Sequence, residues 1–139
     1  MIGQINGGVS GITLGHSDIG GYTSAYAKTL YEYYRDQDLL FSWIEMSTFS
    51  DVIMRSHPSN IPLKQAQIYD SIENINFFKK FVDIHVGLSD YKQSLMKETQ
   101  EKGTPFTRPL LLHFPKDETA RKNKSQFMLG DCIMMAPIF

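Results

Sequence analysis

Short apolar runs recur in this chain at intervals of several dozen residues, and the segments between them carry aliphatic and aromatic side chains every three to four positions. Residues 9–14, bounded by Gly7, Gly8 and Gly15, form the first run; residues 51–54 form the second; Leu110, Leu111 and Leu112, within 106–114, form the third. A run that is apolar on both faces suits a buried strand, and parallel neighbours need a long crossover, commonly helical. The spacing therefore predicts an α/β chain. A last apolar run over 132–139 reads as a strand with no neighbour in view. Three parallel strands make an incomplete sheet, so both chain ends are expected to cut through structure.

Between the runs, Tyr26, Leu30, Tyr33, Tyr34, Leu40, Phe41 and Ile44 predict a helix from Ser24, capped by Thr23 or Ser24 and bent or broken near 36–38. Prolines and small polar residues make 55–62 a loop. Ile68, Ile72, Ile75, Phe78, Phe81 and Val82 form the stripe of a later helix; Ser89 is expected to cap another and Gly103 to end it. A short polar helix is expected over 119–126.

Composition narrows the function. The 139 residues are 42% hydrophobic and 21% charged, which is globular, and fourteen Lys+Arg against fifteen Asp+Glu leave a net charge of −1. That balance offers no basic footprint for nucleic acid and no polybasic patch for a membrane. No apolar run reaches the roughly 18 residues of a membrane span, and the first fifteen residues hold no Lys or Arg for a signal peptide. Cys132 is the one cysteine, which excludes an internal disulfide and a cysteine-based zinc site.

In α/β folds function gathers in the loops that follow the strands. After the first run comes GHSDIGGYT, with His16 and Asp18 two apart; after the second comes MRSHPSN, with Arg55 and His57 at the same spacing. On extended backbone each pair projects to one side, so a carboxylate, an arginine and two histidines could build a polar pocket for acid/base chemistry or hydroxyl recognition. Each also has a plainer reading. Asp18 before two glycines could be an Asx-turn residue, Arg55 a surface cation or a clamp on Asp18 or Asp51, and His57 before Pro58 a loop hydrogen-bonder. His85 and His113 read as structural, and the tyrosine and phenylalanine stripe as core. Nucleotide-binding glycine motifs are absent, Ser17 lacks the second glycine of a nucleophile elbow, and no metal-motif spacing supports a site from His16, Asp18 and His57.

The loops carry more than spacing. Residues 10–23, SGITLGHSDIGGYT, resemble the acid/base segment of glycoside hydrolase family 31, and HSDIGGYT is most similar to its sulfoquinovosidase branch. WIEMSTF at 43–49 and MRSH at 54–57 resemble the family's next strand, where an Arg-x-His pair meets the sugar. TRPLLLHFP at 107–115 and QFMLGDCIMMAPI at 126–138 continue the likeness, the latter resembling the passage from barrel to β-sandwich.

The resemblance implies a partial (β/α)8 barrel, about its last three strand units, over residues 1–125, with 126–139 starting a following β domain. It implies a retaining α-glycosidase acting on a carbohydrate substrate without cofactor or metal. Asp18 would be the general acid/base, His57 a hydrogen-bonding partner of the sugar, Arg55 its neighbour shaping the pocket, and His16 an adjacent residue. Such an enzyme needs a second carboxylate about 5–5.5 Å from the acid. In the family that nucleophilic aspartate lies on an earlier strand, so the sequence is expected to begin after it and to lack the N-terminal part of its own barrel. Pro58 and Ser59 stand where Glu-Gly is expected in the branch, Ser42 where many members have Arg before Trp, and Cys132 in place of an acidic residue. The Pro58 departure leaves α-glucosidase and α-xylosidase specificity open, and the missing nucleophile leaves open a non-catalytic truncated remnant.

Overall fold

The computed structural model describes residues 2–27 and 31–138. Helix α1, Ile2–Val9, opens the chain. Strand β1, Asp18–Ile19, pairs in parallel with β4, Arg55–Ser56, and helix α2, Gln37–Ser50, makes the crossover. Strands β2, Ala25–Ala27, and β3, Tyr31–Tyr33, form an antiparallel hairpin before α2. Helices α3, Ile72–Gly87, and α4, Ser89–Lys102, lead to a three-stranded antiparallel sheet in the order β5, Thr107–Pro109; β6, Phe127–Leu129; β7, Ile133–Met135. The short helices α5, Leu110–His113, and α6, Glu118–Lys122, lie between β5 and β6.

The predicted crossover between parallel strands is present, but the strand assignments shift. The run 9–14 is not a strand: Val9 ends α1, Gly11 turns the chain at φ 90°, and Ile12 is 66% exposed. Gly7 and Gly8 lie within the helix, and Gly8 lets it approach its neighbour, since a Cβ there would lie 2.8 Å from Pro105 Cβ and 3.0 Å from the Thr107 carbonyl. The second strand starts at Arg55, not within 51–54, because Asp51 is the C-cap of α2. The helix predicted from Ser24 is the β2–β3 hairpin, and helix starts only where the Asp36 side chain accepts from Leu39 N at 2.8 Å; Leu30 lies outside the described residues. The third run is also displaced. Leu110–His113 coils into one helical turn after Pro109, and the strand before it pairs antiparallel with β6. The last run contains β7, whose neighbour is β6. Leu88, not Ser89, caps α4, while Gly103 ends it at φ 70° as expected.

Two apolar clusters hold these elements. Ile19, Leu40, Ile44 and Phe81 are buried between β1, α2 and α3, where the Phe41 and Phe77 rings stack at 3.8 Å. Leu95, Phe106 and Leu129 join α4 to the antiparallel sheet. Beside the second cluster, buried Arg108 donates to Glu98 at 2.8 Å and also to Asp131. That hydrogen bond, with the arginine's charge, holds the Glu98 carboxyl below its ordinary value. Among the described residues no helix is long and apolar enough to cross a membrane.

Candidate active site

The parallel register sets Asp18 opposite Arg55, and registered positions in neighbouring strands point to the same face. Arg55 Nε lies 3.8 Å from Asp18 Oδ1, with the arginine side chain 62% exposed, so this pair is a solvated clamp more than a buried bridge. His16 Nε2 approaches the same carboxylate oxygen at 3.4 Å, while its Nδ1 lies 3.0 Å from the Ile53 carbonyl oxygen. If Nδ1 donates to that carbonyl, a neutral His16 turns an unprotonated Nε2 toward Asp18, and a cationic one turns an N–H toward it. The contact thus accommodates a proton on either partner.

Asp18 does not form an Asx-turn. Its main-chain carbonyl accepts Gly21 N at 2.7 Å and closes the turn, leaving the carboxylate to His16 and Arg55. His57 does act within its loop, accepting Ser59 N at Nδ1 at 2.9 Å. A neutral ring accepting there carries its proton on Nε2. Tyr22 meets the His57 ring edge-on at 6.4 Å. Tyr22 also lines, with His16, Ser17, Asp18, Thr23 and Trp43, an open cleft of about 590 Å³. The four predicted site residues therefore divide. His16, Asp18 and Arg55 touch one another, and His57 stands beside a residue of the cleft wall.

Sequence reading missed what holds this cleft. Asp51, fully buried, takes four hydrogen bonds: Gln4 Nε2 at 2.7 Å, Ser50 Oγ at 2.8 Å, Ser17 N at 3.0 Å and Ser17 Oγ at 2.8 Å. Trp43 Nε1 donates to that same Ser17 hydroxyl at 2.8 Å. Ser17 is fixed from two sides, and with it the flanking His16 and Asp18. Of the two carboxylates that Arg55 could clamp, it meets Asp18, and Asp51 holds Ser17.

Behind Asp51, buried Lys92 donates to the carbonyls of Thr48 at 2.7 Å and Asp51 at 3.0 Å, and its Nζ lies 2.8 Å from His85 Nδ1, which is also 3.1 Å from the Thr48 carbonyl oxygen. It thereby ties α4 to the end of α2. Burial lowers the Lys92 ammonium to about 8, against the attraction of Asp51. Burial, with Lys92 next to it, also lowers His85. Unfolding restores the lysine to 10.5, so between about 8 and 10.5 the unfolded chain binds a proton that the folded chain does not. Stability therefore gains from Lys92 as pH rises through that window. Urea midpoints at pH 7.5 and pH 10 should show this gain, and Lys92→Met should reduce it; an unchanged difference between the two pH values would refute the assignment.

Among the described residues no group of three or more His, Cys, Asp and Glu is arranged to hold a metal ion. The cleft wall offers a carboxyl group, an imidazole and two aromatic rings, with the Arg55 guanidinium against the carboxylate and the His57 ring beside Tyr22. That is equipment for proton transfer and hydroxyl recognition.

Residues 103–139 match the Glycosyl hydrolase family 31 C-terminal domain. The chain is 32% identical over 139 residues to a sulfoquinovosidase of Agrobacterium fabrum, covering 100% of this chain and 20% of that one. It is 35% identical over 130 residues to a sulfoquinovosidase of Escherichia coli K12, covering 94% and 18% respectively. A solved family 31 sulfoquinovosidase from E. rectale, in complex with an aza-sugar inhibitor, superposes with a TM-score of 0.88 at 32% identity, over 98% of this chain and 20% of that one. The chain thus spans about one fifth of the length of the curated relatives it matches. With sequence likeness running through all of its elements and the fold following the same path, the chain belongs to glycoside hydrolase family 31.

Proposed function

We propose that residues 1–139 supply the acid/base side of the active site of a retaining α-glycosidase, with sulfoquinovosides as the substrate class. In this reading β1 and β4 are neighbouring strands of a (β/α)8 barrel that other segments complete, and 126–139 begin a following β domain to which β5 lends a strand. The observation that carries the reading is the position of Asp18. It heads β1 in register with Arg55, in the wall of a cleft, beside an imidazole that can share its proton.

The chemistry follows from those contacts. Asp18 gives its proton to the glycosidic oxygen while a carboxylate from another segment, about 5–5.5 Å from the Asp18 carboxyl, attacks the anomeric carbon. The leaving alcohol departs, the glycosyl-enzyme consumes the attacking charge, and Asp18, now a carboxylate, takes a proton from the water that releases the sugar. His57 offers Nε2–H to a sugar hydroxyl. Arg55 borders the acid, His16 orients it, and the Trp43 and Tyr22 faces receive the apolar side of the ring.

The complete protein should cleave an aryl α-sulfoquinovoside faster than the matching α-glucoside and α-xyloside, and proton NMR should show the α-anomer of the sugar appearing first. A β-anomer first would overturn retention, and preference for the glucoside or xyloside would move the substrate class. Residues 1–139 alone should show no turnover. Hydrolysis by that piece, abolished by Asp18→Asn, would overturn the division of the site between segments.

A further inference from the structure

Arg35 is buried, at 3% exposure, in the segment between β3 and α2, and among the described residues its guanidinium makes no ion pair, the Asp70 charge acting on it only at longer range. Every acceptor it meets is a carbonyl or an amide. Nη1 donates to the main-chain carbonyls of Ile19 at 3.2 Å and His57 at 2.8 Å; Nε donates to the Ala66 carbonyl at 2.5 Å, and Nη2 to Gln67 Oε1 at 2.6 Å. Two of these carbonyls belong to the loops of the candidate site: Ile19 follows Asp18, and His57 is the proposed sugar contact of the β4 loop. One nitrogen therefore ties together two loops that lie 38 residues apart in sequence, 57 against 19.

The surroundings are built for this fork. Gln67, whose Oε1 holds Nη2, extends its own Nε2 to the carbonyls of Pro58 at 2.9 Å and Pro62 at 3.0 Å, so the loop after His57 is held from the same side. Gln65 Oε1 accepts Arg35 N at 2.7 Å, and Ala66 N donates to the Arg35 carbonyl at 3.1 Å, which anchors the arginine backbone. Gly20 clears the space: a Cβ there would lie 2.6 Å from Arg35 Cδ and would overlap Nη1. Gly20, two residues after Asp18, is thus required by the arginine as well as by its own φ of 84°. Removing a cation from water to meet neutral acceptors is costly, and the geometry obtained for that cost is a fixed spacing between two loops.

We propose that Arg35 is the positioning residue that locks the His57 loop to the end of β1, so that the proton donor and the sugar-binding histidine keep one spacing. This rests on the assignment of Asp18 and His57 made above. Arg35 touches no substrate; it acts through the two carbonyls. A lysine, with a single point of charge, cannot span the four acceptors.

The test uses the complete protein with Arg35→Ala, Arg35→Lys and Arg35→Gln, each assayed for melting temperature, for kcat and KM on an aryl α-glycoside, and for crystal structure. Misplacing reacting groups by about 1 Å costs on the order of a hundredfold. The expected result is a fall of at least about tenfold in kcat/KM per folded molecule, carried by kcat, in all three variants, with partial recovery of Arg35→Ala by added guanidinium ion. Loss only in proportion to the unfolded fraction, with no recovery by guanidinium, would show a purely structural role and overturn the proposal. If the wild type cleaves no α-glycoside, the glycosidase reading fails by itself, and the crystal structures still decide. His57 and Asp18 displaced from each other in Arg35→Gln would sustain the lock; an unchanged spacing would remove it.

Discussion

Asp18→Asn is expected to lower kcat/KM of the complete enzyme for an alkyl α-glycoside by about 10²–10⁴-fold, the range over which a positioned general acid contributes. The asparagine keeps the size of the side chain and can still face His16 and Arg55, so the melting temperature should hardly move. The loss should depend on the leaving group. An alkoxide leaving without a proton is strongly basic, whereas a dinitrophenolate departs unassisted, so the first bond-breaking step should survive with the activated substrate. The glycosyl-enzyme would then accumulate for want of a base, and azide, which needs no deprotonation, should discharge it as the α-glycosyl azide. Equal losses for alkyl and activated aryl glycosides, with no azide product, would take the acid/base role away from Asp18.

The largest loss of stability is expected at Asp51. Four donors converge on its buried carboxylate, and Asp51→Ala would leave Gln4, Ser50 and both Ser17 donors facing a void. Each buried donor left without an acceptor costs about 1–3 kcal/mol. Part of that returns as Ser50 and Gln4 turn toward water or other partners, so a net loss of about 3 kcal/mol or more is expected in urea unfolding. Asp51→Asn should be intermediate, because one amide oxygen still accepts while the NH₂ is set against donors. Activity should also fall, since Ser17 stands between His16 and Asp18. An Asp51→Ala protein within about 0.5 kcal/mol of wild type, the usual range for surface changes, would show that the network has another support.

The two loops that bear the candidate chemistry were legible because their information is local. HSD and RSH place polar side chains at alternate positions, and the parallel register brings Asp18 and Arg55 together as that alternation implies. Helix ends with their own chemistry were legible too, in Gly103 and in the break at Asp36. The supports of the site were not. Arg35 binds main-chain carbonyls of residues 19, 57 and 66, and a carbonyl looks the same in every residue. Asp51 is recognised by a serine, a glutamine and an amide that lie 34 to 47 residues away. The hairpin at β2 and β3 reads as helix in the sequence because tyrosines at 26, 33 and 34 stand at seven- and eight-residue helical spacings, while the pairing that makes it a hairpin lies in the register of the two strands. Likewise three consecutive leucines after Pro109 suit a buried strand or a buried turn of helix equally, and only tertiary packing chooses.

Trp43 is the sole tryptophan of these 139 residues, and its indole stands in the cleft wall with its N–H committed to Ser17 Oγ. Its emission is therefore a spectroscopic label already in place, sensitive to the two things that matter at this site. A sugar ring laid against the indole drives out water and moves the emission to the blue; loosening of the serine that carries the hydrogen bond moves it to the red. Within this segment, ligand entry and failure of the underlying network are distinguishable by the sign of a wavelength change, with no chemical group added to the protein.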